Sequence, residues 1–185
     1  MQRFAYSSRS IAAHLKCGGL IAYPTESCYG LGCDPSNRRA VKNILKLKQR
    51  PQSKGLILLA SHYRQLAHYL QEIPLAEQAK LQNTDTQAVT YLMPARPSVP
   101  RCLRGKHDTL AVRLTAHSFA KQLCLRTHSA LVSTSANLSG QCPARSYAAC
   151  QRLFGNKVWV LRGRVGKHKQ ASTIRVWTSG KIMRN

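Results

Sequence analysis

Short apolar runs, each ending in polar residues, alternate along this chain with stretches of helical period. Leu20-Ile21-Ala22, Leu56-Ile57-Leu58-Leu59-Ala60, residues 88–93, residues 109–114, Ala130-Leu131-Val132 and residues 157–161 read as strands. Apolar runs this short, bounded by turn signals, fit strands covered on both faces. Residues 172–177 and 181–183, on either side of Thr178-Ser179-Gly180, predict a hairpin. Between the strands, Ile11, Ala12 and Leu15 predict a helix capped by Ser8 or Ser10 and stopped by Gly18-Gly19. Ala40, Val41, Ile44, Leu45 and Leu47 predict a second, capped by Ser36. Tyr63, Leu66, Ala67 and Leu70 predict a third, opened by Ser61, and a weaker one follows Pro74. Further helices are expected over 117–126 and 146–154. Strands alternating with helices make an α/β fold, read as one domain over residues 1–185 without repeats or linkers.

Two of the strand ends carry unusual chemistry. In Tyr23-Pro24-Thr25-Glu26-Ser27-Cys28-Tyr29-Gly30-Leu31-Gly32, Pro24 lacks an N–H, so a central strand cannot continue past Tyr23 and the remainder reads as a loop. Such a loop is either an ordinary strand-to-helix connection or a ligand loop. Thr25, Glu26 and Ser27 are compatible with the second reading, because in open α/β sheets ligands bind at strand ends, but taken alone the stretch leaves both open. Gly30 and Gly32 would permit positive φ or close approach of a ligand. The pattern recurs where Ala130-Leu131-Val132 runs into Ser133-Thr134-Ser135-Ala136-Asn137-Leu138-Ser139-Gly140. Arg113 lies inside an apolar strand, where a cation calls for an anionic partner. Pro51 disfavours helix for Arg50, placing Lys48 and Arg50 at the exit of the second helix or in the loop that follows.

Charge narrows the choice of ligand. Among 185 residues, 29 Lys and Arg face 6 Asp and Glu, a formal net charge of +23. Nucleic acid or phosphorylated ligands are the first partners to consider, the alternative being a generally basic surface. Seven cysteines without a C-x-x-C pair argue against a disulfide framework or zinc ribbon. The N-terminal residues lack the apolar core of a signal peptide, and no run approaches the roughly 20 apolar residues of a membrane span. A cytoplasmic location without membrane contact is the default.

Several familiar sites are missing: the G-x-x-x-x-G-K-[ST] phosphate loop, a dinucleotide fingerprint, H-E-x-x-H and G-x-S-x-G. Six acids argue against a metal site built by protein carboxylates, so any Mg²⁺ would be held by phosphate oxygens. What remains is Lys48, Arg50, Lys54 and Arg113 with Ser27, Thr109, Ser133 and Ser135, a set suited to a nucleoside triphosphate and a small carboxylate. For Lys48 and Arg50 alone, a solvated surface role is the competing reading.

YPTESCYGLGCD, KQRPxxKGLIL, TLAVRLTAH, LVSTSANLSG and STIR follow one another over nearly the whole chain. In that order the sequence resembles the threonylcarbamoyl-AMP synthase family (YrdC-like, TsaC), in its short single-domain bacterial form. The resemblance implies a twisted mixed sheet curved around a basic cavity, with flanking helices. It also implies a reaction in which L-threonine and bicarbonate form a carbamate that attacks the α-phosphate of ATP, releasing pyrophosphate. Partner proteins would then transfer the threonylcarbamoyl group to tRNA beside the anticodon. Carried over by position, Ser27, Arg113, Ser133 and Ser172 would hold threonine. Lys48, Arg50 and Lys54 would hold the triphosphate, Lys48 and Arg50 serving catalysis, while Thr109, Ser135, Asn137 and Arg184 would contact the nucleotide. The chain departs from the family at Asp85-Thr86-Gln87-Ala88, where a Trp-Pro-Gly-Pro turn is usual, and at Ser27, where threonine is commoner. A non-catalytic module gripping tRNA or double-stranded RNA on the same fold is the rival expectation, motivated by the charge.

Overall fold

The computed structural model describes residues 7–82, 88–168 and 170–184. Its framework is a mixed sheet formed by β1 (Ile21–Pro24), β2 (Tyr29–Gly32), β3 (Ile57–Ala60), β4 (Val89–Pro94), β5 (Thr109–Leu114), β6 (Leu131–Ser135), β7 (Trp159–Val160), β8 (Thr173–Val176) and β9 (Ile182–Arg184). Their spatial order is β7-β1-β2-β6-β3-β5-β4-β8-β9. The pairs β1/β7, β3/β5 and β4/β8 are parallel, and the other neighbours are antiparallel. Helices α1 (Ser8–Lys16), α2 (Arg38–Leu47), α3 (Leu75–Gln82), α4 (Arg101–Arg104), α5 (Ser118–Thr127) and α6 (Tyr147–Phe154) flank it.

The expected loop after Tyr23 is instead a hairpin. Thr25 N–H and Thr25 Oγ1 both donate to Cys28 O, at 3.0 and 2.8 Å, and this closed turn returns the chain as β2 in register Pro24↔Tyr29. Pro24 ends β1 without breaking it. The third helix also fails to form: only a 3₁₀ turn, Tyr63–Gln65, is present. Gln65 Oε1 accepts from Ser61 N–H and Ser61 Oγ, and Leu70 bridges to Ala95, so the segment is drawn back to the sheet before a second turn can build. Asn37, not Ser36, caps α2 by accepting from Ala40 N–H at 3.0 Å, because Ser36 is tied to Asp34 Oδ1 through both its N–H and its hydroxyl. Ser7 opens α1 without a side-chain cap. The altered turn at Asp85, Thr86 and Gln87 lies outside the described residues.

Strand alternation sorts the apolar side chains into layers. Leu58, Ala60, Val112, Met93 and Val132 meet α2, α3 and α4 on one face. On the other, Ile21, Tyr23, Leu59 and Leu131 lie under α1 and α5. A further cluster joins Ala22, Tyr29 and Leu31 to α6. Leu59 pairs with both Arg113 and Leu131, and its same-face neighbour Ile57 pairs with Ala111 and Ser133. Side chains two residues apart on a strand share a face. Helix α5 packs on Leu59 and Leu131, while Ile57, Ser133 and Ala111 line open cavity. The cavity is thus the uncovered end of one sheet face.

The exit of α2 sets a second feature. Gln49 adopts φ 51°, with Gln49 N–H donating to Lys46 O and Arg50 N–H to Leu45 O. This is a Schellman-type stop in which glutamine occupies the left-handed position that glycine usually takes. It turns Lys48 inward and sends Arg50 to the cavity. Gly55, at φ 60°, then lets Leu56 N–H reach Leu103 O at 2.8 Å, seating the 3₁₀ turn Gln52–Lys54 against α4.

Candidate active site

Two adjoining chambers occupy the open sheet face. The inner one, of about 160 Å³, is walled by Thr25, Ser27, Cys28, Gly30, Arg113, Ser133, Ser135 and Ser172. The outer one, of about 260 Å³, has Lys54, Arg104, His107 and Thr109 on its rim and an apolar floor that includes Leu92, Leu103, Ile174 and Met183. Arg50, Leu56, Ile57 and Arg184 line both. Among the described residues none that lines them is a carboxylate, so the walls present cations, hydroxyls, the Cys28 thiol, the His107 imidazole and carbon.

The predicted residues divide unevenly between these walls. Ser27, Arg113, Ser133 and Ser172 come together in the inner chamber, with Ser135 beside them. Buried Ser172 shares a hydrogen bond of 2.8 Å with Thr90, and its carbonyl accepts from Arg184 Nη2 at 2.8 Å. Arg50 faces Arg184, and burial together with that second guanidinium holds its pKa below the usual arginine range. Like charges gathered on one wall favour an anion between them. Lys54 and Thr109 line the outer chamber.

Lys48 and Asn137 line neither chamber. Lys48 is 3% exposed, and its ammonium donates to Ser135 O, to Asn137 O at 2.7 Å and to Asn137 Oδ1 at 2.9 Å. Three acceptors take all three of its protons. Burial and the neighbouring Arg50 push its pKa down to about 8, against the pull of Cys28. Asn137 Oδ1 also accepts from Ser135 Oγ at 2.6 Å. In this arrangement Lys48 clamps the loop after β6 from behind.

Arg113 does have the anion its position called for. Its guanidinium pairs with Glu26, and the two side chains lie among buried residues, at 8% and 4% exposure. Burial would raise the Glu26 pKa. The Arg113 charge, backbone hydrogen bonding and the Thr115 hydroxyl outweigh it, and the carboxyl sits below its ordinary value. Burial raises Cys28 despite Ser27 and nearby cations, so it stands in the inner wall as a thiol rather than a nucleophile. Gly30 borders the chamber, but Gly32 does not: a Cβ there would lie 2.7 Å from the Tyr23 ring and 2.6 Å from Val132 O. Packing, not a ligand, excludes a side chain at Gly32.

Arg104, His107 and the apolar floor carried no signal in sequence, because Leu92 and Ile174 read only as strand positions. The fold and site together define an α/β protein with a paired, cation-lined cavity on one sheet face. The chain belongs to the Sua5/YciO/YrdC family, whose model, described as telomere recombination, matches residues 13–185. A threonylcarbamoyl-AMP synthase from Methylobacillus flagellatus is 46% identical over 177 residues, covering 96% of this chain and 98% of the relative. Another from Chromobacterium violaceum is 46% identical over 170 residues, covering 92% and 88%. P. abyssi Sua5 complexed with L-threonine superposes with a TM-score of 0.85 at 30% identity over 95% of this chain; the chain spans about half of that protein, 52%. E. coli YciO shares the fold, with a TM-score of 0.80 at 22% identity over 97% of this chain and 90% of that one.

Proposed function

We propose that this chain, as a single YrdC-like domain, forms threonylcarbamoyl-AMP from L-threonine, bicarbonate and ATP with release of pyrophosphate. The observation that carries the reading is the division of one sheet face into a hydroxyl-walled chamber around a buried arginine and a cation-rimmed chamber with an apolar floor. The inner chamber suits threonine. Arg113 would take its carboxylate, and Ser27, Ser133 and Ser172 would meet its remaining polar groups. The outer chamber suits the nucleotide, with the base on Leu92, Ile174 and Met183 and with Thr109 near it. Arg50, Lys54 and Arg184 would draw the triphosphate toward the inner chamber. Lys48, Ser135 and Asn137 would support that wall.

The chemistry asks for no enzyme nucleophile. Bicarbonate, protonated, loses water to give CO₂; the neutral threonine nitrogen adds to its carbon and gives up one proton to solvent, leaving a carbamate. A carbamate oxygen attacks the α-phosphorus, and the bond to the bridging oxygen of pyrophosphate breaks. Positioning two anions against each other and balancing the developing charge are the tasks, and Arg50 and Arg184 at the shared wall suit both. Mg²⁺ would ride on the triphosphate, since the described residues of the chamber walls offer it no carboxylate. The product would pass in the cytoplasm to partner proteins that modify tRNA beside the anticodon.

The test is pyrophosphate release from ATP by purified protein with Mg²⁺. It should require both L-threonine and bicarbonate, and release that ignores either would end the proposal. A second reading, direct contact with tRNA or double-stranded RNA, draws on the +23 charge and on the basic shelves beside the mouth, one with Lys42 and Lys46 and one with Arg101, Arg104 and Lys106. RNA binding there should weaken steeply between 50 and 200 mM salt, on the order of a thousandfold if about six phosphates are contacted. Salt-insensitive binding would remove it.

A further inference from the structure

We propose that Glu26 is a positioning residue: it touches neither substrate, yet sets threonine affinity by holding the Arg113 guanidinium in one orientation. The proposal rests on the assignment of the inner chamber to threonine. Glu26 lines neither chamber and is 4% exposed, so it can act only through its neighbours. Its Oε1 accepts from Thr115 Oγ1 at 2.8 Å and from the Ala116 and His117 amides at 3.2 and 3.4 Å, at the entry to α5. Its Oε2 faces Arg113 Nη2. The backbone is fixed as firmly. Gly166 N–H donates to Thr25 O at 2.9 Å and His168 N–H to Glu26 O at 3.1 Å. A Cβ on Gly166 would lie 2.6 Å from Glu26 O, so residues 163–168 are laid directly over the turn.

Arg113 has no such set of anchors. Strand register fixes its backbone opposite Leu59, but Nε and Nη2 are buried and, among the described residues, find no hydrogen-bond partner beyond the charge of Glu26. The rigidity of the fork is therefore borrowed from the carboxylate, which hangs on the hairpin turn, α5 and the overlying loop together. Two opposite effects follow. Glu26 lowers the net charge that threonine meets, which weakens attraction, and it preorganises the donors that a carboxylate uses bidentately, which strengthens binding. Oε1 is held so fully that the second effect should dominate.

Calorimetric titration separates these. With wild-type protein binding L-threonine and ATP as references, Glu26→Gln should bind threonine at least tenfold more weakly while ATP affinity stays within twofold. Thr115→Val, which removes one anchor of Glu26 and leaves its charge, should weaken threonine about threefold and spare ATP. Equal or tighter threonine binding by folded Glu26→Gln would show that neutralisation dominates and would overturn the proposal. Parallel loss of both ligands would also overturn it, as general distortion. Should Glu26→Gln fail to fold, unchanged threonine binding by Thr115→Val would be equally fatal. A wild-type protein that binds ATP but no threonine would instead overturn the assignment of the chamber, and the proposal with it.

Discussion

The inner and outer chambers share Arg50, Leu56, Ile57 and Arg184, yet they are built by different means. The inner wall takes Gly30, Arg113, Ser133 and Ser135 from strands whose pairings fix each position to a register. The outer rim takes Lys54 from the 3₁₀ turn Gln52–Lys54, Arg104 from the end of α4 and His107 from the loop after it, over an apolar floor. A one-residue slip would turn each of these strand-borne groups to the opposite face, whereas the rim could adjust locally. The inner chamber is thus suited to reading a small molecule group by group, and the outer one to gripping charge.

The sharpest way to break this comparison is Arg113→Ala. It should reduce threonine affinity by about a hundredfold or more by calorimetry. Because it leaves Glu26 buried and unpaired, it should also cost about 3–5 kcal/mol in denaturant unfolding. Next, Arg50→Ala should weaken ATP about tenfold with threonine binding alone unchanged; equal losses would mean that the chambers are one site. A third test uses acid. The folded pKa of Glu26 lies below its ordinary value of 4.5, so the ion pair contributes stability above that value and loses it as pH falls through the lower folded pKa. Unfolding midpoints between pH 3 and 6 should therefore decline in wild type and decline less in Glu26→Gln. The smallest effect belongs to Gln49→Gly, which relieves a left-handed residue. Stability should rise by up to about 1 kcal/mol, with both ligand affinities unchanged.

What could be read from sequence follows the same division. Apolar runs such as Leu56 to Ala60 declare their strands, and Arg113 inside one declares its need for an anion. The sequence did not reveal that β2 exists, since Tyr29-Gly30-Leu31-Gly32 carries two glycines and no run, and its strand character comes from pairing with β1 and β6. Nor could it separate Lys48 from Arg50. Their divergence depends on a left-handed Gln49, and glutamine gives no hint of that conformation. The helix expected over Tyr63 to Leu70 had the right period but lost to the Ser61–Gln65 hydrogen bonds and the bridge from Leu70 to Ala95.

The sheet order has a kinetic meaning. Hairpin β8–β9 forms one edge of the sheet, with Ser172 just before β8 and Arg184 at the end of β9, while Arg113 sits near the middle. Edges open more readily than centres, and such local openings cost less than global unfolding. One wall of the cavity can then part from the other while the core stays folded. A ligand spanning Arg113 and Arg184 ties that edge to the centre, and its residence should be legible as slowed amide exchange in β8 and β9.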